Sequence, residues 1–337
     1  MSCNRPTNWQ YSLDSTSSSS STIAIMSSEE ASAGDDTQIT RCASCGIAAG
    51  GHIKLKECDD CDLVRYCSDE CQEDHRSQHN DECQKRAREL LDQRLFKQPP
   101  ASNCEGDCPI CFLPLPIDRN QSDMNSCCGK VICNGCSLAA DERGLGENCP
   151  FCRKGIPSNE HEFEKNLKKR IKANDRAAIT QWGIQCYMKG NYRQALNYFN
   201  KAAELDDLEA HFNLADMYAN GFGVVERDEK KRVHHLEIAA IGGHASARFN
   251  LGIFERDNGA LERGLQHFLI ACTYGHDKAL GEVRTGFMNK LVTKDEFAAA
   301  LRAHHTAVNA TKSEQREKAA MIAQILGPGQ MYNVMYE

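Results

Sequence analysis

The sequence predicts a multidomain chain: a disordered Ser-rich tail, two small cysteine-rich modules in succession, then an all-α helical-repeat solenoid. Three observations carry this. Fifteen of the 19 cysteines fall in two clusters between Cys42 and Cys152, arranged with one histidine as eight close pairs. The block Ile238 to His244 recurs 32 residues later as Ile270 to His276. Residues 1–40 contain the unbroken run Ser17 to Ser21 and no periodic apolar pattern, a composition that cannot bury enough surface to offset its conformational entropy.

A chain of 337 residues has room for two or three domains. No secretory signal is evident and no apolar run approaches the ~20 residues that span a bilayer, so the expectation is an intracellular protein, cytoplasmic, nuclear or both, with no membrane association. Disulfides do not persist in a reducing compartment, and paired CxxC units there read as metal ligands. The net charge of −7 argues against nucleic acid as a partner, because phosphate binding needs an excess of Lys and Arg.

The first cluster, residues 42–83, offers Cys42 and Cys45, Cys58 and Cys61, Cys67 and Cys71, and His79 and Cys83. A two-residue gap makes a tight turn that aims two sulfurs at one ion. A three-residue gap places ligands at i and i+4 on one helix face. Cys67 to Cys83 is therefore expected to be helical, as two short helices. Four pairs of thiolates and one imidazole suit two tetrahedral Zn²⁺ sites. His75, four residues before His79, could replace it but reads as a solvated helix-face residue. His52 reads as a polar loop residue beside Gly50-Gly51.

This spacing, with Tyr66 before the fifth ligand and seven residues between Cys71 and His79, resembles the MYND zinc finger. The resemblance implies interleaved, cross-braced sites: Cys42, Cys45, Cys67 and Cys71 for one ion, and Cys58, Cys61, His79 and Cys83 for the other. It also implies peptide binding, often to proline-containing motifs. About 42 residues cannot build a sufficient core, so the zinc is structural.

A helical linker is expected at 84–103, its helix ended by Pro99-Pro100. The second module, 104–155, offers Cys108 and Cys111, Cys127 and Cys128, Cys133 and Cys136, and Cys149 and Cys152, with Cys104 as a weak substitute ligand. The run CPIC…CCGKVICNGC…CPFCR resembles an all-cysteine RING finger. The cross-brace it implies pairs Cys108, Cys111, Cys133 and Cys136 at one zinc, and Cys127, Cys128, Cys149 and Cys152 at the other, for four ions per chain in all. The resemblance further implies a ubiquitin ligase with no nucleophile of its own, which positions a ubiquitin-loaded conjugating enzyme. Ile110, Pro150 and Arg153 match the positions that contact that enzyme and ubiquitin. The chain departs from the pattern in three ways. A histidine near the fourth ligand is missing, with Cys128 or Lys130 in its place; two neighbouring cysteines must share one ion; and Ser137-Leu138-Ala139-Ala140 holds no aromatic residue. A non-catalytic scaffold is the alternative.

A charged connector, 156–176, includes the basic run Lys165 to Lys172, read as the solvated face of a helix. Residues 177–326 read as stacked helical hairpins: Ala178, Ala210, Ala247 and Ala279 fall at intervals of 32, 37 and 32. Residues 182–206, with Gly183, Gly190, Tyr192, Ala195, Tyr198 and Ala202, resemble a tetratricopeptide repeat. Residues 210–247, with Leu214, Tyr218, Gly221, Gly223, Asp228, Lys231, Ala239, Ala240 and Gly243, resemble a Sel1-like repeat. These resemblances imply protein partners. Cys186 and Cys272 fall at packing positions, and residues 327–337, opening Gly-Pro-Gly, are expected to be loose.

Overall fold

The structure, a computed structural model, describes residues 41–97, 99–222 and 225–326; the expected tail, the loose C-terminus and Gly223 lie outside them. The chain divides into two compact units, Met1–Asn80 and Asp81–Glu337.

In the first unit β1 (Lys56–Glu57) pairs antiparallel with β2 (Arg65–Tyr66), and α1 (Asp69–Asp92) follows. The unit boundary falls inside α1. The two short helices expected here are one 24-residue helix, because no Gly or Pro interrupts the sequence between Asp69 and Asp92. A π-helical turn, Gln93–Lys97, extends it to the proline pair that was expected to stop it.

In the second unit, residues 104–155 form a compact cysteine module. β3 (Ser122–Met124) pairs antiparallel with β4 (Val131–Cys133), and α2 (Asn134–Asp141) follows directly. Its buried core is Cys108, Leu115, Ile132, Cys133 and Cys149. Two aliphatic side chains are too few to hold about 50 residues together without metal.

The expected connector is largely helix: α3 (Glu160–Lys172) buries Leu167 while Lys165, Lys168 and Lys169 face solvent. Four helical hairpins follow: α4 (Arg176–Met188) with α5 (Tyr192–Ala203), α6 (Leu208–Asn220) with α7 (Glu229–Ile241), α8 (Ala245–Asp257) with α9 (Leu261–Thr273), and α10 (Asp277–Met288) with α11 (Lys294–Ala310). The last helix is α12 (Glu314–Leu326).

The alanine series has a local cause. Asp175, Asp207, His244 and His276 are the N-caps of α4, α6, α8 and α10, and each accepts the backbone N–H three residues on. Those donors are Ala178, Ala210, Ala247 and Ala279, all fully buried. Each repeat thus opens on a side-chain cap, worth about 1 kcal/mol where the residue is Asp, followed by a methyl group small enough for the neighbouring helix to close over it. A second repeated device is glycine against an aromatic ring. A Cβ on Gly183 would lie 2.6 Å from Phe199, and one on Gly252 would lie 2.5 Å from Phe268. Cys186 and Cys272 are buried among these helices, as packing residues should be.

The segment expected as a plain linker is built into the helical unit. Leu95 is fully buried with Ala215, Leu236, Ala239, Ala240, Ala247 and Leu251. The buried Arg248 donates to the carbonyls of Leu95 (2.6 Å) and Ala240 (2.8 Å). Arg263 pairs with Asp92 at 2.7 Å, and Tyr274 donates its hydroxyl to the Pro100 carbonyl at 3.0 Å.

Candidate metal centres

One turn recurs at three of the CxxC units. The amide of Gly46, Phe112 or Arg153 donates to the carbonyl of Cys42, Cys108 or Cys149, at 2.9 Å in each case. The first cysteine's own amide reaches back to Ile47, Leu113 or Lys154. The closure forces the fifth residue to positive φ: +75° at Gly46, but also +56° at Phe112 and +64° at Arg153. Glycine takes that conformation without strain, whereas other residues take it at a cost.

Each turn carries two sulfurs to a shared point. Among the described residues four sets of four ligand atoms lie within 4.8 Å of one another: Cys42, Cys45, Cys67, Cys71; Cys58, Cys61, His79, Cys83; Cys108, Cys111, Cys133, Cys136; and Cys127, Cys128, Cys149, Cys152. In both modules alternate pairs meet. Within the groups Cys45 and Cys67 lie 3.6 Å apart, Cys67 and Cys71 3.6 Å, Cys111 and Cys133 3.8 Å, Cys127 and Cys152 3.4 Å, and Cys128 and Cys149 3.8 Å. The Nε2 of His79 is 3.2 Å from the Cys61 sulfur. Zn–S bonds of about 2.3 Å in a tetrahedron put sulfurs roughly 3.8 Å apart, so the donor sets fit a zinc ion. All the described cysteines are free of disulfides.

The neighbours Cys127 and Cys128 reach one point because a turn reverses the chain beneath them. The amides of Cys128 and Gly129 both donate to Asn125, at 3.2 and 2.7 Å, and Gly129 has φ of +68°. A Cβ at Gly129 would also collide with the Arg170 guanidinium.

The clustered thiols share their protons unevenly. Burial pushes the Cys42 thiol up, but backbone donors from Cys45, Cys67 and Ser44 outweigh it and bring it to about 6. Its neighbour Cys67, donating to Cys45 and Cys71, is pushed up to about 12. Cys108 is brought down to about 4 by the Cys133 thiol and by backbone donors, while burial drives Cys136 up to about 12. Metal binding at such a cluster therefore expels protons that neighbouring thiols would otherwise keep.

The other residues singled out are placed as follows. His75 is not a solvated residue: its Nδ1 lies 3.1 Å from the Tyr66 hydroxyl and its ring stacks on His79 at 5.8 Å, because both occupy the inward stripe of α1. His52 is exposed. Ile110 is 36% exposed, Pro150 is half-buried and Arg153 is exposed. Phe112 was missed in the sequence, yet it is 76% exposed, and Phe151 is 43% exposed. A large aromatic side chain held in water on a left-handed backbone violates two local preferences at once, and the CxxC spacing itself marks the position.

Cys104 stands apart from both groups of its module and lies within 4.8 Å of Glu105 and His244. This cluster is an ion network. Arg119 pairs with Glu105 at 3.3 Å and Glu209 at 2.8 Å. His244 spends Nδ1 accepting from Ala247, which leaves the proton on Nε2, facing Glu209 at 2.9 Å. With both nitrogens committed, the ring has no lone pair for a metal. Burial, with Glu105 and Glu209 nearby, pushes the Cys104 thiol up to about 12.

Residues 42–83 match the MYND finger family model, and residues 176–207 and 208–244 match the Sel1 repeat. The segment 182–206, whose residues resemble a tetratricopeptide repeat, lies within the first of the two Sel1 matches. Over 131 residues the chain is 31% identical to Chitin synthase regulatory factor 4 of Schizosaccharomyces pombe, a match covering 37% of this chain and 20% of that protein. Among solved structures, a Sel1 repeat protein from Oxalobacter formigenes aligns with a TM-score of 0.40 at 18% identity, over 58% of this chain and 87% of that one. The protective antigen c5321 of uropathogenic Escherichia coli aligns with a TM-score of 0.36 at 21% identity, over 51% and 37%. Among the described residues no helix is long and apolar enough to cross a membrane. A MYND finger joined to Sel1 repeats supports a zinc-binding protein-interaction adaptor.

Proposed function

We propose that this adaptor holds four zinc ions and that its second module works as a RING-type ubiquitin ligase, while the MYND finger and the repeats bind substrate proteins. The assigned ligands are Cys42, Cys45, Cys67 and Cys71; Cys58, Cys61, His79 and Cys83; Cys108, Cys111, Cys133 and Cys136; and Cys127, Cys128, Cys149 and Cys152. The observation that carries the ligase reading is the second module's alternate pairing, with Ile110 and Phe112 exposed on the turn of Cys108 and Cys111 and Phe151 exposed on the turn of Cys149 and Cys152. Under this reading the two turns grip the conjugating enzyme. Pro150 stiffens the second of them, and Arg153 extends its guanidinium fork toward ubiquitin. The substrate amine then attacks a thioester carried by the partner, so the contribution of this chain is placement.

Purified protein with activating enzyme, a panel of conjugating enzymes, ubiquitin and ATP should build ubiquitin chains. Ile110→Ala, Phe112→Ala and Arg153→Ala should suppress them with zinc content unchanged; no product with any conjugating enzyme would remove the ligase reading. The second reading, a regulatory scaffold without transfer activity, is favoured by the absence of an aromatic residue on α2 and by the burial of Leu138 and Ala140 there. The relative is named a regulatory factor, which fits a protein that acts through partners.

A further inference from the structure

We infer that Arg316, on the last helix, is a positioning residue for the site of Cys108, Cys111, Cys133 and Cys136, so that α12 is structurally part of that zinc module rather than the free end of the solenoid. The inference rests on zinc occupying that site but not on ubiquitin transfer.

Arg316 is only 8% exposed. One terminal nitrogen donates to the carbonyls of Pro114 at 2.6 Å and Thr311 at 2.7 Å. The other donates to the Leu113 carbonyl at 3.2 Å and the Cys111 sulfur at 3.4 Å. No salt bridge to a carboxylate is found for it among the described residues, and its Nε has no partner. A buried guanidinium without a counter-ion is costly, so its position points to an anion. A Zn²⁺ held by four thiolates carries two net negative charges, and it is the anion this guanidinium touches.

The contact is built into the backbone as well. A Cβ on Gly135 would lie 2.6 Å from the Arg316 amide nitrogen and 2.8 Å from the Gln315 carbonyl carbon, so α12 rests on the turn between Cys133 and Cys136. Ala319, one turn along, is fully buried. Sequence separation hides all of this, since about 200 residues lie between the thiolates and the arginine.

The other site of the module provides an internal comparison. Arg170 lies against Gly129, beside Cys128, but its guanidinium is paired with Asp175. Its charge is already balanced, and its removal should matter less to the metal.

The test is zinc release from the full chain to a chromogenic chelator. Removing an outer partner of a metal ligand typically costs 10–100-fold in affinity. Arg316→Gln should therefore weaken one of four ions by 10–100-fold and leave three unchanged. Arg316→Lys, which keeps the charge and loses the fork, should fall between Gln and wild type. Arg170→Ala should change release by less than tenfold. Lys318→Ala, on the same helix as Arg316, removes only an exposed pair with Glu142 at the end of α2 and should leave release at the wild-type level. If Arg316→Gln does not fold, the wild type carries the test in the other direction: stripping zinc should expose α12 amides to hydrogen exchange together with those of α2. Unchanged release from Arg316→Gln, equal effects of Arg316→Gln and Lys318→Ala, or α12 protection that survives zinc removal would each overturn the inference. Fewer than four ions in the wild type would instead mark a failure of the zinc assignment.

Discussion

The two cysteine modules use the same turn and the same alternate pairing, yet they differ in what surrounds their candidate metal sites. In the first, every candidate ligand comes from one continuous stretch of 42 residues, and the last four candidates, from Cys67 to Cys83, lie on or just before a single helix. In the second, distant parts of the helical unit press on the sites, Arg316 at Cys111 and Arg170 at Gly129, and Glu209 pairs with Arg119 elsewhere in the module. The candidate metal sites of the second module are therefore part of a larger core, which ligand spacing alone does not announce.

The largest effect that sharpens this contrast is metal removal. Zinc supplies about 10–16 kcal/mol in small finger folds, far more than either module's apolar core can. Excess chelator should abolish hydrogen-exchange protection in 42–83 and 104–155, with the four hairpins still helical by circular dichroism. Loss of the hairpins at the same chelator concentration would erase the distinction between finger and solenoid. Next in size is Leu95→Ala. This residue belongs to the helical core although it sits in the connection between the two modules, and its truncation should cost about 2–5 kcal/mol. Denaturant unfolding followed on the helices measures it, and a cost under 0.5 kcal/mol would mean that the segment is merely draped on the surface.

The pH response of the repeats should be smaller. Burial holds the His276 imidazole down at about 4, below the ordinary value near 6.5, and its Nδ1 must stay bare to cap α10. Because the folded-state value is depressed, the stabilisation is complete above pH 6.5, is lost as pH falls from about 6.5 to about 4, and changes no further below that. His276→Asn keeps an acceptor at the cap and removes the titration. Its unfolding free energy should fall less than that of wild type between pH 7 and pH 4.5, and equal slopes would exclude His276 as the cause. The smallest effect is expected from Phe112→Gly, which relieves a left-handed backbone worth about 1–2 kcal/mol but adds unfolded-chain entropy. Stability should be unchanged or higher by about 1 kcal/mol while ubiquitin transfer falls, and loss of stability would make Phe112 a structural residue instead.

What could be read in the sequence followed from short range. CxxC turns, the proline stop at Pro99 and the repeat of capped alanines are all set within a few residues. Ligand spacing points to two short helices where α1 is one, because the run from Asp69 to Asp92 holds neither Gly nor Pro to break it. His75 looked solvated because nothing local announces the Tyr66 hydroxyl that approaches it. The burial of Leu95, the approach of Cys104 to His244 and the Arg316 contact join residues more than 100 positions apart. No local periodicity encodes such pairs.

Counting the metal tests the central claim most directly. Native mass spectrometry of the full chain, purified without chelator and with zinc supplied, should give a mass exceeding the apo chain by four zinc ions, each replacing protons lost from its thiols. A chain that carries two ions or none and keeps its exchange protection in residues 104–155 would contradict the account.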